Sequence, residues 1–320
     1  MLRSFFGVQV FLIGLLCAGA ALAAHGGRWS AHLDVFSHFA PLWLAGALLV
    51  ALYGLTLADP GSRRGLVVVG ALGAALALLL IAPEYLRRMG PRAPADAPGQ
   101  IKLIQFNAWG IGNRAPRETV AWLVGQRADI IVVQEGAALE AEIVRRGGYH
   151  AVSGPASVII FSKAKPLTAQ LTPLPGRRAQ PPLARATFAH PNGAFTVIGV
   201  HFVWPIYGAF HQAQGRAVSE ILRQGPTDRT ILTGDFNSTP WSFERRREDA
   251  MFRLERRTRA LFTWPAGAVA PSTPPLPFPL LPIDHVYAGP GWRTVRVERG
   301  PKLGSDHFPV VVILAPSVER

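Results

Sequence analysis

The chain has 320 residues and 34.5 kDa, with 49% hydrophobic and only 17% charged residues and a mean hydropathy of +0.22. Soluble domains carry about 25% charged residues, so part of the chain is expected in a membrane, and disorder as the main state is excluded. The single cysteine, Cys17, excludes a disulfide framework and a multi-cysteine metal site, and the net charge of +13 suits a polyanionic partner, although an Arg-rich composition produces the same excess by itself.

In chain order, three apolar runs come first, at 5–24, 39–57 and 65–82, none with a charged residue. Each approaches the ~20 residues that cross about 30 Å of hydrocarbon. Residues 1–88 are therefore expected to be a transmembrane region that contacts the lipid bilayer. Arg3 before the first run and Ala21-Leu22-Ala23 near its end also fit a cleavable signal segment. Arg3 and the Arg63-Arg64 loop are set on the cytoplasmic side. With or without cleavage, residues from about 90 on then lie outside the cytoplasm. Residues 89–99, rich in Pro, Ala and Gly, read as a short stiff linker.

Residues 100–320 carry 26 Lys and Arg against 16 Asp and Glu, a net +10. This part alternates apolar strands with helical stretches. Strands are expected at 101–106, 129–134, 157–161, 184–188, 195–200, 230–233, 283–287, 294–298 and 310–314. Helices are expected at 117–127, 212–223 and from Ser242 to about Leu254. The Pro-rich stretch 265–282 reads as a loop inside this part.

Polar residues suited to metal or phosphate chemistry follow four of the strands: Asn107, Glu135, His201 and Asp235. Rigid strands that deliver acids, amides and imidazoles to one edge are a common way to assemble a reactive site. Gly234-Asp235-Phe236-Asn237-Ser238-Thr239-Pro240 sets Asp235 and Asn237 two apart after a turn-permitting glycine. Gly304-Ser305-Asp306-His307 offers a carboxylate beside an imidazole, and Ile283-Asp284-His285 offers a carboxylate able to orient the imidazole of His307. His285 alternates to the other strand face and reads as structural.

These motifs, QFNAWG, VVQE, GVHF, GDFNSTP, PIDH and GSDHFPV in that order, resemble the endonuclease/exonuclease/phosphatase superfamily across residues 101–315. With the N-terminal spans, the chain resembles its bacterial membrane-anchored members. The resemblance implies an α+β fold: a four-layer α/β/β/α sandwich, deoxyribonuclease I-like, over residues 100–320, preceded by the transmembrane helical region. It implies metal-dependent phosphoester cleavage, with Asn107, Glu135 and Asp306 as ligands of Mg²⁺ (or Mn²⁺). His201, Asp235, Asn237, Asp284 and His307 are implied as catalytic. Mg²⁺ is hard and takes carboxylate, amide and water oxygens together with substrate phosphate, which agrees with that set.

The expectation is a multi-pass protein of the bacterial inner membrane with a periplasmic catalytic part. Its substrate is a phosphoester: nucleic acid, phospholipid or a phosphorylated small molecule, with diester cleavage favoured. No protein partner is expected. The alternative is a non-catalytic binding or scaffold module on the same fold. A family acidic residue expected after Glu135 has no clear match; Glu140 and Glu142 lie there and are not assigned. Arg245–Arg247 and Arg253–Arg259 read as a solvated face or as a surface for phosphates or anionic headgroups. Trp204, Tyr207 and Phe210 read as core or lipid-proximal, with base stacking as the alternative. Thr263-Trp264-Pro265 reads as packing.

Overall fold

Contacts in a computed structural model divide the chain into two units, Met1–Arg87 with Ser238–Arg247, and Arg88–Asn237 with Glu248–Arg320. The structure describes residues 2–176, 180–267 and 273–317, with side chains from residue 7 onward.

The first unit is helical: α1 (Leu2–His25), α2 (Ala31–Asp34), α3 (Ala40–Leu55) and α4 (Pro60–Leu86). Three stretches, Gly7–Arg28, Ala31–Leu55 and Pro60–Leu86, are long and apolar enough to cross a membrane. Small residues line the close contact of α3 with α4: Ala47 and Ala77 are fully buried, and a Cβ on Gly70 would lie 2.6 Å from the Ala47 carbonyl oxygen, with Val50, Leu66, Val69 and Leu80 packed beside them. Large side chains point outward instead, with Leu16, Leu49, Val68 and Leu79 all exposed. Small residues at the closest helix contacts and many large apolar residues outside depart from the pattern of a water-soluble helix bundle. Asp59 caps α4 by accepting from the Ser62 N–H at 2.7 Å. The stretches run further than the charge-free runs of the sequence. They take in Asp34, His38 and Glu84, all buried, so the helical unit is not free of ionisable groups.

The second unit holds two six-stranded sheets. Its first sheet contains β1 (Ile101–Asn107), β2 (Ile130–Gln134), β3 (His150–Val152), β4 (Ile159–Ser162), and two later strands described below. The second sheet contains β5 (Thr168–Thr172), β6 (Leu183–Phe188), β7 (Phe195–His201), β8 (Thr230–Asp235), β9 (Glu255–Arg256) and β10 (Asp284–Ala288). The chain then returns to the first sheet as β11 (Trp292–Arg299) and β12 (Val310–Pro316). The strand orders are β11-β12-β1-β2-β4-β3 and β5-β6-β7-β8-β10-β9.

Strand parity separates three cores. Leu103, Val132, Ile160, Val197, Ile231, Val286 and Val312 fill the space between the sheets. Their alternate neighbours in the first sheet, Ile104, Ile131 and Phe161, pack against Val120 and Leu123 of α5 (Pro116–Gly125) and Ile143 of α6 (Glu140–Gly147). Those of the second sheet, Ile198, Leu232 and Tyr287, pack against Val218 and Leu222 of α7 (Gly208–Arg223) and Phe252 at the end of α8 (Phe243–Phe252). Strands covered on both faces read as continuous apolar runs for this reason. The expected four-layer sandwich is present.

Four elements of the second unit were not expected: α6, β3, β5 and β9. The strands are short or at sheet edges, and β5 is largely exposed, so none carries an apolar run. The Pro/Ala/Gly-rich stretch is not free: the Ala93 N–H donates to Thr294 O and the Thr294 N–H to Pro91 O, at 3.0 and 2.8 Å, along β11. Of the Pro-rich stretch 265–282, residues 268–272 lie outside the described residues.

The basic segment also reads differently. Arg245, Arg256 and Arg257 are buried, and only the rest of the segment, with Arg247 and Arg253 exposed, is a solvated face. Arg257 Nη2 donates to the carbonyls of Ala288, Gly289 and Trp292, and Arg256 pairs with Asp249 at 2.9 Å. Charge density along a sequence does not reveal that guanidinium groups are consumed by main-chain carbonyls.

Candidate active site

The site lies in the second unit, at one end of the inter-sheet space. β1 and β2 are parallel, as are β7 and β8, so their C-termini share an edge, with Asn107 opposite Gln134 and His201 opposite Asp235. β10 runs antiparallel to β8 and begins at this edge, with Asp284 opposite Asp235. β12 runs antiparallel to β1, with Val310 opposite Gln105. The loop before β12, with Asp306 and His307, thus arrives there too. Asn107, His201, Asp235 and Asp284 all fall on the parity of the inter-sheet core (Leu103, Val197, Ile231 and Val286). The apolar layer between the sheets gives way to polar residues at its end.

Distances tie these groups together. Asn107 Nδ2 donates to Asp235 Oδ2 at 3.0 Å and to Glu135 Oε1 at 3.3 Å. His201 Nε2 lies 3.6 Å from Asp235 Oδ2 and 3.9 Å from Glu135 Oε1. His307 Nδ1 is 2.8 Å from Asp284 Oδ2, and its Nε2 is 3.6 Å from Asp235 Oδ2. The Asn237 N–H donates to Asp235 Oδ1 at 2.8 Å, and Asn237 Nδ2 to the Phe202 carbonyl at 2.9 Å. Seven of the eight residues singled out from sequence are thus linked directly. Asp306, the eighth, accepts from Trp264 Nε1 at 3.0 Å through Oδ2 and feels the charges of His307 and Glu135.

Local backbone sets these directions. Glu135 and Asn237 both have φ +52, and Trp109 has φ +63. Non-glycine residues held in the left-handed region are uncommon and cluster at functional sites. The turn at Glu135 directs its side chain out of β2, where it remains 40% exposed. Gly234 has φ +156, and a Cβ there would collide with the Val200 carbonyl oxygen. Only glycine lets β8 approach β7 closely enough to place Asp235 beside His201.

Burial and charge then tune the groups. Burial pulls the His307 imidazole down, but the carboxylates of Asp284 and Asp235 outweigh it and push it up to about 10. Its ring therefore carries a proton at neutral pH. Burial raises Asp235 above the usual carboxylate range, with Asp284 adding to it and His307 and His201 opposing. Burial likewise raises Asp306, against the pull of His307 and the Trp264 hydrogen bond.

Two ligand sets compete for a cation. Asp235, Asp284 and His307 bring one ligand atom each within 4.8 Å. Nδ1 of His307 is already committed to Asp284 and the ring is protonated, which disfavours a metal there. The set Glu135, Asn107 and Asp306 fits a hard cation better. Asp306 Oδ1 is buried without a hydrogen-bond partner, and Glu135 adds a second negative charge near it. A buried carboxylate oxygen with no donor is what a divalent ion would satisfy.

Four supporting residues escaped the sequence. Gln105 Nε2 donates to Asp284 Oδ1 and to Gln134 Oε1, both at 2.8 Å. Ser305 Oγ donates to the Asn107 carbonyl at 2.7 Å and accepts from the His307 N–H at 3.0 Å. Trp264, read as packing, instead holds Asp306. A signal existed for the two glutamines: each is a polar residue on the inter-sheet parity of an otherwise apolar strand. His285 is buried, contacts Phe236 and Tyr287 and lies 3.3 Å from Thr258 Oγ1. Glu140 accepts from Ser153 and Glu142 pairs with Arg145. Trp204 and Phe210 are 62% and 42% exposed, so neither belongs to the core.

A family model described as the Endonuclease/Exonuclease/phosphatase family matches residues 104–307. No curated protein matches. Several solved structures share the fold. A mannosyl-6-phosphatase from Bacteroides thetaiotaomicron is 17% identical, with a TM-score of 0.54 over 67% of this chain and 99% of that one. TDP2 from D. rerio, complexed with a single-strand DNA product, is 16% identical, with a TM-score of 0.54 over 67% and 98%. Sphingomyelinase C from Streptomyces griseocarneus is 17% identical, with a TM-score of 0.52 over 68% and 99%. The family model spans well over half the sequence, from β1 to the His307 loop, and the chain belongs to the endonuclease/exonuclease/phosphatase family.

Proposed function

We propose that the chain is a membrane-anchored hydrolase of phosphoester bonds that depends on Mg²⁺ or Mn²⁺ and favours a phosphodiester. The observation that carries this is the Asp284–His307 pair aimed at Asp235, beside Asn107 and Glu135 at one end of the space between the two sheets.

A divalent cation held by Glu135, Asn107 and Asp306 would supply positive charge for the phosphate oxygens and make a bound water more acidic. The chain's own residues do the rest. His307 is oriented by Asp284 and kept protonated, so its Nε2–H is a charged donor for a phosphate oxygen or for the departing one. Asp235 is fixed at Oδ1 by the Asn237 N–H, and its raised affinity for protons suits it to accept one from the attacking water. His201 is placed to contact another phosphate oxygen; Asn237 holds the loop that shapes the contact. Phosphoryl transfer needs mainly such positioning and charge stabilisation.

The anchor is supported by the inverted packing of the helical unit, whose large apolar side chains face outward. We place the reactive unit on the periplasmic side of a bacterial inner membrane, as the positions of Arg3, Arg63 and Arg64 suggest. The three solved relatives act on a sugar phosphate, DNA and, by name, sphingomyelin, so the fold does not choose a substrate. Anchoring favours a phospholipid over nucleic acid. The test is turnover by the full chain in detergent on bis-p-nitrophenyl phosphate, plasmid DNA and phospholipid vesicles, each with Mg²⁺ and with chelator. Metal-dependent turnover of any of these supports the reading, and the preferred substrate assigns the branch. No turnover by folded protein on all three would reject it.

A further inference from the structure

The segment that follows Asn237 belongs to the helical unit, and two buried side chains there hold it. His38 Nδ1 accepts from the Thr239 N–H at 3.1 Å and lies 3.1 Å from Thr239 Oγ1. An acceptor at Nδ1 requires a neutral ring with its proton on Nε2. The His38 carbonyl accepts from Trp241 Nε1 at 3.2 Å, and Trp241 is fully buried. Asp34 accepts from the main-chain N–H groups of Phe243 and Glu244, both at 2.9 Å, and from Ser37 Oγ at 2.9 Å. Its carboxylate thus caps α8 from more than 200 residues away. Six consecutive positions, 239 to 244, are held in this way at four of them. The segment is short and covalently continuous with Asp235 and Asn237.

We infer that Asp34 and His38 are positioning residues for the reactive edge: they fix residues 239–244, and through the chain fix Asn237 and its N–H bond to Asp235. This rests on the reading that Asp235 and Asn237 act on substrate. A polar pair inside an apolar helical unit is otherwise costly, since a buried carboxylate must be matched by donors, and here all its donors come from this one segment and from Ser37. The helical unit then has a second role besides anchoring, as the support of a catalytic loop. Misplacement of a reacting group by about 1 Å costs on the order of 10²-fold in rate.

The experiment compares full-length wild type, His38→Ala, Asp34→Asn and His38→Asn in detergent, with Leu49→Ala on the exposed face of α3 as control. Turnover is split into kcat and KM, and hydrogen–deuterium exchange is followed over residues 233–244. The expected result for His38→Ala and Asp34→Asn is kcat down by about tenfold to a hundredfold with KM little changed, and faster exchange at 235–244, with α1, α3 and α4 still protected. His38→Asn, whose side-chain oxygen can accept the Thr239 N–H, recovers much of both. Wild-type kcat and wild-type exchange in both variants would overturn the inference. If wild type turns over nothing, the functional reading fails separately, and the exchange data still decide whether the pair holds the segment.

Discussion

His307 shows how three neighbours make one side chain useful. Burial alone would strip its proton, yet the carboxylates of Asp284 and Asp235 keep it charged. Asp284→Asn removes the orienting charge and keeps the shape. We predict that its turnover falls by about 10²–10⁴-fold, while the thermal unfolding profile stays close to wild type; a turnover within twofold of wild type would count against the pair. Gly234 acts through its backbone instead. Gly234→Ala forces a Cβ onto the Val200 carbonyl, and we predict a loss of about 1–3 kcal/mol, measured as a lowered unfolding midpoint together with reduced turnover.

The reactive residues were legible one at a time because they end strands or sit in short motifs. Their positions at Asn107, Glu135, His201 and Asp235 follow from apolar runs that stop. Gln105 and Gln134 show in the sequence only as polar interruptions of such runs, and the tertiary fold is what reveals that their parity faces the other sheet. The left-handed turn at Glu135 carries no sequence signal, whereas Asn237 belongs to a residue type enriched in that region. Asp34 and His38 were unreadable for a different reason: their partners lie about 200 residues further on.

Elements show the same limits. Strands covered on both faces were found, whereas β3, β5 and β9, short or at edges, were not. The arginine-rich stretch was the largest misreading, since its density suggested a surface whereas Arg245, Arg256 and Arg257 are internal and Arg247 and Arg253 exposed. This difference separates two variants. Arg257→Met removes the guanidinium donor shared by the carbonyls of Ala288, Gly289 and Trp292, and we predict a loss of about 1–3 kcal/mol in stability, read from denaturation in detergent. Arg247 pairs with Glu244 at 41% exposure, and Arg247→Ala is expected to stay within about 0.5 kcal/mol. Equal effects would mean that the two guanidinium groups are not distinguished by burial.

At the scale of the whole molecule, an apolar helical unit and a basic two-sheet unit are joined by one chain that passes between them more than once. We predict that the protein stays with membranes after an alkaline carbonate wash. A cysteine introduced as Asp96→Cys should react in intact cells with a membrane-impermeant maleimide, while the buried Cys17 should not. Labelling of Asp96→Cys only after lysis would reverse the assigned sidedness.

The most direct test of the central claim is a Mg²⁺ titration of bis-p-nitrophenyl phosphate turnover by the full chain, compared with Glu135→Gln and Asp306→Asn. The account predicts saturable activation in wild type, none under chelator, and a half-saturating Mg²⁺ concentration raised by about tenfold or more in both variants, since second contacts to a bound metal alone are worth 10–100-fold. Turnover that is indifferent to Mg²⁺ and chelator, or variants that activate at the wild-type concentration, would contradict it.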